Sequence, residues 1–259
     1  MNKIVCLFIL LVLGLGSKAQ NIDARSIIDK TKNATQLDAS EMVSELKIID
    51  AKGRQRVRKT TTATKSFGDI DKTLVKFLAP ADVKGTGMLI FDYDEKDDDL
   101  WIYMPALRKT RRIVSSDKSK SFMGSEFSNS DMSLPNLNDF NYKLLGVENF
   151  EGKECFKIES TPVNEDIADD NGFSKKISFI DKEKYLTYKV ELYDLDDELC
   201  KITNISGYEI IDQKNKKYSA RMMKVKNIQN NRSSSMEVLK IQLGTQLSEN
   251  HFTTSFLEK

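Results

Sequence analysis

The sequence predicts a mainly β protein, a sandwich or a large curved barrel of long antiparallel strands, and three observations carry that prediction. Several segments alternate apolar and polar residues with period two, turn residues separate them, and three further segments carry apolar residues on both faces. Alternation marks a strand with one covered face, because successive side chains point to opposite sides of a sheet. A strand that is apolar on both sides needs cover on both.

Taken in chain order, the first element is a leader. Lys3 gives a basic start, Ile4 to Gly16 is an apolar run, and Ser17-Lys18-Ala19 places small residues at −3 and −1. That combination predicts a secretory signal peptide over residues 1–19, with a run too short to span a bilayer comfortably. Cys6 sits near the start of the run rather than its end, a poor position for lipid attachment. Residues 20–259 are read as one domain. Asp23 is the N-cap of a helix in which Ile27, Ile28 and Thr31 follow at helical spacing.

Strands follow. Glu41 to Asp50 puts Met42, Leu46 and Ile48 on one face and Glu45 and Lys47 on the other, and Asp50-Ala51-Lys52-Gly53 is a turn. Thr73 to Leu78, Met88 to Phe91 and Leu100 to Met104 are the strands that need two covers. The stretch from Ser115 to Phe140 is Ser-rich yet holds Phe122, Met123, Phe127 and Met132, and a connection of that length usually contains short helices, a lid or a binding element. Past the turn at Glu151-Gly152-Lys153, the strand Lys153 to Thr161 sets Cys155 on the face of Lys157 and Glu159. Tyr185 to Tyr193 alternates Leu186, Tyr188, Val190 and Leu192 with Thr187, Lys189 and Glu191. After the turn at Asp212 to Asn215, Glu237 to Leu243 alternates Leu239, Ile241 and Leu243 with Lys240 and Gln242.

Composition excludes more than it assigns. The 259 residues hold 40 Lys+Arg, 39 Asp+Glu and one His, with a pI near 7.6 and a mean hydropathy of −0.45. A near-neutral chain exerts no long-range pull on nucleic acid. One His leaves little scope for imidazole acid–base or metal chemistry. Asp92, Asp94 and Asp97 to Asp99 lack the glycine turn and twelve-residue spacing of a calcium loop, so no metal or other cofactor is expected. Gly124-Ser125 is not a G-x-S-x-G elbow, His251 sits among the last residues, and no carboxylate pair is spaced as a glycosidase dyad. No catalytic residue is assigned. Without residues 1–19, Cys155 and Cys200 remain, and in an oxidising compartment they are either a disulfide or two separate thiols.

The stretch from Phe77 to Met132 carries a resemblance. Phe77-x-x-Pro80, Lys84-Gly85-Thr86, Trp101-Ile102-Tyr103-Met104-Pro105-Ala106, Arg111-Arg112-Ile113, Phe122-Met123-Gly124-Ser125 and Asp131 stand in an order and spacing that resemble the outer-membrane lipoprotein-sorting protein family, relatives of the LolA and LolB carriers. Outside this core the likeness is general and ends in Phe252-Thr253-x-x-x-Leu257. The resemblance implies an unclosed, half antiparallel β-barrel with covering α-helices and a hydrophobic cavity for acyl chains. It also implies a periplasmic carrier that moves lipoproteins or other lipids towards the outer membrane, meeting an inner-membrane transporter and an outer-membrane acceptor. A lipid-binding adaptor subunit of an exporter is the alternative, and a lipid hydrolase a lesser one. The chain is expected to act as a monomer.

On that reading Leu74, Phe77, Met88, Ile90, Trp101, Tyr103, Phe122, Met123 and Met223 are the candidate lipid-lining residues. Thioethers adapt to varied ligand shapes, although ordinary core filling is the competing assignment for any one Met. Burial of a sixteen-carbon chain is worth at most about 12 kcal/mol at ~0.8 kcal/mol per methylene, so a carrier that must release its cargo needs partial burial and a movable cover. Phe122 and Met123 are candidates for that cover, and changing both to Ser is expected to weaken binding more than stability. The basic run Arg108, Lys109, Arg111 and Arg112 is a candidate contact for anionic headgroups or a partner, or else an ion-pair network with Asp97 to Asp99.

Overall fold

A computed structural model describes residues 23–259 apart from Asp94, Glu95 and Thr245, so the leader assigned to residues 1–19 lies outside the described residues. The chain opens with α1 (Ala24–Thr35), where the Asp23 carboxylate accepts the backbone N–H groups of Arg25 and Ser26, as an N-cap should. The strands that follow are β1 (Ala39–Ile49), β2 (Gln55–Ser66), β3 (Ile70–Ala79), β4 (Gly87–Tyr93), β5 (Asp99–Met104) and β6 (Lys109–Ile113). After a segment of four short 3-10 turns come β7 (Phe140–Phe150), β8 (Lys153–Pro162), α2 (Glu165–Asn171), β9 (Lys175–Asp181), β10 (Thr187–Tyr193) and β11 (Leu199–Ser206). The chain ends with β12 (Glu209–Asp212), β13 (Lys217–Ser219), β14 (Met222–Asn227), β15 (Arg232–Leu243) and α3 (Thr254–Leu257).

Among the described residues, thirteen strands form one antiparallel sheet in the order β6-β5-β4-β3-β2-β1-β15-β14-β11-β10-β9-β8-β7, and β12 pairs with β13 apart from it. The sheet is not closed, since β6 and β7 are both edges. It is strongly curved. Ile27 of α1 packs on Phe156, Ile158 and Ile180 of β8 and β9, while Gln36, the C-cap of α1, donates to Asp71 of β3. Laid flat, the eight strand steps from β3 to β8 would span about 38 Å, whereas twelve helical residues cover only about 18 Å. One short helix can touch both only if the sheet wraps around it, which is the half-barrel with a covering helix.

The three strands apolar on both sides are covered on both sides. On the inner face Val75, Phe77, Met88, Ile90, Leu100 and Ile102 pack with Phe122 and Phe127 from the segment between β6 and β7. On the outer face Leu74, Leu89, Phe91, Trp101 and Tyr103 pack under Leu247, Phe252 and Leu257. A second outer cluster, Cys155, Ile177 and Phe179, backs β8 to β10. Cys155 and Cys200 are buried free thiols, which settles the pairing left open by the sequence.

Two alternation readings need correction. A register shift between Thr187 and Lys189 turns Tyr188 to the outer cluster while Val190 and Leu192 face inward. Opposite the shift at Val43/Ser44, Leu239 bulges out and is 48% exposed, although the pattern paired it with Ile241. An extra residue in one strand flips every later side chain relative to the earlier ones.

Candidate functional site: a divided cavity under the first helix

Between α1 and the inner face lies a cavity of about 390 Å³, lined by apolar and hydroxyl groups that include Leu37, Met42, Leu134, Ile205, Tyr208 and Met223. Deeper along the sheet is a second chamber of about 290 Å³, bounded by Phe127, Phe173, Val190, Leu192 and Val225. Ile205 and Met223 line both chambers and stand at their junction. Each chamber is near the lower end of the size range of small-molecule pockets, roughly 300–1,000 Å³, and each is lined mostly by apolar groups. The second is not wholly greasy. Lys176 lines it with its ammonium over the Phe173 ring, and burial lowers that ammonium's pKa.

A third cavity, about 440 Å³ and polar, opens beside the first and shares Gln36, Asp71 and Leu134 with it. Arg25 and Lys32 reach it from α1, and Asp69, Asp71 and Asp92 from the β3 and β4 side. Asp92 is only 7% exposed. Its Oδ1 accepts the Leu134 N–H at 2.8 Å, and its Oδ2 has no hydrogen-bond partner among the described residues. Burial, with Asp98 and Asp71 adding like charge against the attraction of Lys32, pushes the Asp92 carboxyl up to about 8.

The sign of that shift makes a prediction. An ordinary aspartate titrates near 3.9, so between about pH 4 and 8 the unfolded chain gives up a proton that folded Asp92 keeps. Stability attributable to Asp92 therefore falls as pH rises through that window and is level above it. Asp92→Asn keeps an acceptor for Leu134 and should lose this slope. Thermal melts at pH 5 and pH 9 are the measurement, and equal pH dependence in both proteins would refute it.

The segment between β6 and β7 is fastened inside the sheet by Glu126. Its Oε1 lies 2.8 Å from Arg232 Nε, close enough for an ion pair though out of line for a hydrogen bond, and its Oε2 accepts from Asn227 Nδ2 at 3.0 Å. Its backbone N–H donates to Ser234 Oγ and its carbonyl accepts from Lys201 Nζ. Arg232 also donates to the Gly124 carbonyl, and Arg58 to that of Met123. Met123 and Gly124 both take the left-handed backbone, a turn in which glycine at the second position is unstrained.

The nine candidate lining residues divide between faces. Phe77, Met88, Ile90, Phe122, Met123 and Met223 belong to the inner cluster, and among them Met223 reaches the open chambers. Leu74, Trp101 and Tyr103 belong to the outer cluster under the C-terminal segment. Sequence reasoning missed Leu37, Ile205, Tyr208 and Tyr218. It also missed Met42, which lines the first chamber and could have been found from the alternating face it shares with Leu46 and Ile48. Of the basic run, Arg112 pairs with Asp99 and Arg111 lies 3.6 Å from Asp117, while Arg108 and Lys109 are exposed. They sit on or beside edge strand β6, where charge also opposes edge-to-edge pairing.

A wide unclosed antiparallel sheet, wrapped around one helix and a hollow apolar interior, defines the class as a LolA-like half-barrel. A family model described as "-like: Uncharacterized protein" matches residues 69–259, and the chain belongs to that family. Among solved structures, a Vibrio parahaemolyticus domain described as an outer membrane lipoprotein-sorting protein is 29% identical, with 91% of this chain and 98% of that one covered at a TM-score of 0.84. A DUF1329 family protein from Desulfovibrio piger is 28% identical, covering 90% and 97% at 0.83. A LolA superfamily protein from Nitrosomonas europaea shares the fold at 17% identity, covering 91% and 99% at 0.70. The resemblance carried by Phe77 to Met132 is borne out by these neighbours. No curated protein matches the chain. Among the described residues no helix is long and apolar enough to cross a membrane.

Proposed function

We propose that this protein is a periplasmic lipid-binding carrier that holds acyl chains, of lipoproteins or of free lipids, in the joined chambers under α1 and moves them towards the outer membrane. The observation that supports it best is the pair of mostly apolar chambers that share Ile205 and Met223 as lining. The lipoprotein-sorting description of the Vibrio relative points the same way. Residues 1–19 act as the leader that exports it, residues 20–259 act as one domain, and no catalysis is assigned. Arg108 and Lys109 meet anionic headgroups or the acidic surface of an inner-membrane transporter or outer-membrane acceptor. Partial burial suits the task, because chambers of this size hold a chain without the full ~12 kcal/mol of enclosing one.

Native mass spectrometry and lipid extraction of protein purified from periplasm should find bound lipid, and a fluorescent fatty acid should bind. Met223→Trp, which fills the junction, is expected to weaken that probe about tenfold, or roughly 1.4 kcal/mol, with little loss of folding. Finding neither co-purified lipid nor probe uptake with the unaltered protein would sink the carrier reading.

A further inference from the structure

Asp71 and Asp92 are direct cross-strand partners in the β3–β4 ladder. Two carboxylates facing each other across a sheet repel, and the usual remedy is a cation between or beside them. Here the remedy is incomplete. Gln36 Nε2 donates to Asp71 Oδ2 at 2.8 Å and Leu134 N–H to Asp92 Oδ1, but among the described residues the buried Asp92 Oδ2 has no hydrogen-bond partner while its residue lines the polar cavity. Burial keeps Asp92 protonated below about pH 8, and once ionised its unpartnered oxygen calls for a donor that carries positive charge. A metal ion fits poorly, since no group of three or more His, Cys, Asp or Glu among the described residues could hold one. An ammonium needs only this pair and offers three donors.

The position says what the ammonium is attached to. Gln36, Asp71 and Leu134 line both the polar cavity and the first apolar chamber, so the two spaces share a threshold. A molecule with its chain under α1 would emerge there with its head between Arg25 and Lys32 on one side and the acidic pair on the other. We propose that the polar cavity is a headgroup subsite selective for amphiphiles bearing a primary amine, with Asp92 and Asp71 receiving the ammonium. This rests on the carrier reading and narrows its cargo.

The charges facing Asp92 are Asp71 from β3, Asp98 from the turn after β4, and Lys32 from α1, with Arg25, Asp29 and Asp69 elsewhere on the cavity wall. Burial pushes the Asp92 carboxyl up to about 8, so below that pH an incoming ammonium must displace a proton. Amine selectivity should therefore strengthen as pH rises from 6 to 8 and level off above.

The test compares single-chain probes that differ only in the head: palmitoyl lysophosphatidylethanolamine, palmitoyl lysophosphatidylglycerol and palmitic acid, with free ethanolamine as competitor. At pH 8 the unaltered protein is expected to bind the ethanolamine lipid about tenfold tighter than the glycerol lipid. Asp92→Asn should reduce that ratio below about twofold, and its melting curve verifies folding. Equal affinity for the two lysolipids, with palmitic acid still bound, overturns the headgroup inference and leaves the carrier reading standing. Loss of every chain-bearing probe overturns both. Competition by free ethanolamine as strong as by the lysolipid would assign the site to small amines and overturn the amphiphile claim.

Discussion

Phe122→Ala is expected to lower the unfolding free energy by about 3–5 kcal/mol, the range for truncating a fully buried aromatic. Phe122 is 1% exposed, its ring centroid lies 5.7 Å from that of Phe77, and it closes the inner cluster over β3 to β5. The segment around it cannot easily collapse to fill the hole, because Arg232 holds the Gly124 carbonyl and Arg232, Ser234 and Lys201 hold Glu126, two and four residues further on. Phe122 lines neither apolar chamber, whereas Phe127 does. The packing therefore favours a large loss of stability with a small change in fatty-acid affinity, the opposite order to that expected of a movable cover. Chemical denaturation and probe titration on the same variant separate the two. A stability loss under about 1 kcal/mol with a clear loss of binding would return Phe122 to the role of a lid.

What the sequence disclosed follows from how local each signal is. The N-cap at Asp23 and the alternation through Met42, Leu46 and Ile48 depend on neighbours a few residues away, and both stand in the structure. The need for two covers over β3 to β5 was equally plain from their composition. Which side chain meets which cover was not. Leu74, Trp101 and Tyr103 differ from Phe77, Met88 and Ile90 only in the parity of their position, and the parity that faces inward is set by partners more than a hundred residues distant, such as Phe252 and Leu257. Bulges at Tyr188 and Leu239 break the count within a strand. The polar cavity was hidden for another reason. Its acid pair comes from adjacent strands and its threshold from Gln36 and Leu134, so no window of sequence contains the site.

Removing residues 252–259 is expected to cost at least about 3–6 kcal/mol, since burying Phe252 and Leu257 alone is worth roughly 1.5–3 kcal/mol each. Both are almost wholly buried, and the backbone makes room for them. A Cβ on Gly87 would sit 2.6 Å from Leu257 Cδ1, so glycine there permits the close approach of α3 to β4. The segment is also held by polar contacts: Lys76 Nζ donates to the Phe256 carbonyl at 3.0 Å, and Thr110 Oγ1 to Glu258 at 2.7 Å. Its loss would leave Leu74, Leu89, Phe91, Trp101 and Tyr103 as one apolar patch on the outer face. Patches of that kind drive association between molecules. Trp101 reports the event, because it is the sole tryptophan of the chain and packs edge-on against Phe91 at 5.1 Å. Expected results are a red-shifted emission, a lower melting temperature and larger species on sizing columns. Unchanged emission with retained stability would mean that Trp101 and Tyr103 are not covered by this segment, and would reopen the outer face as a place where a ligand chain could lie.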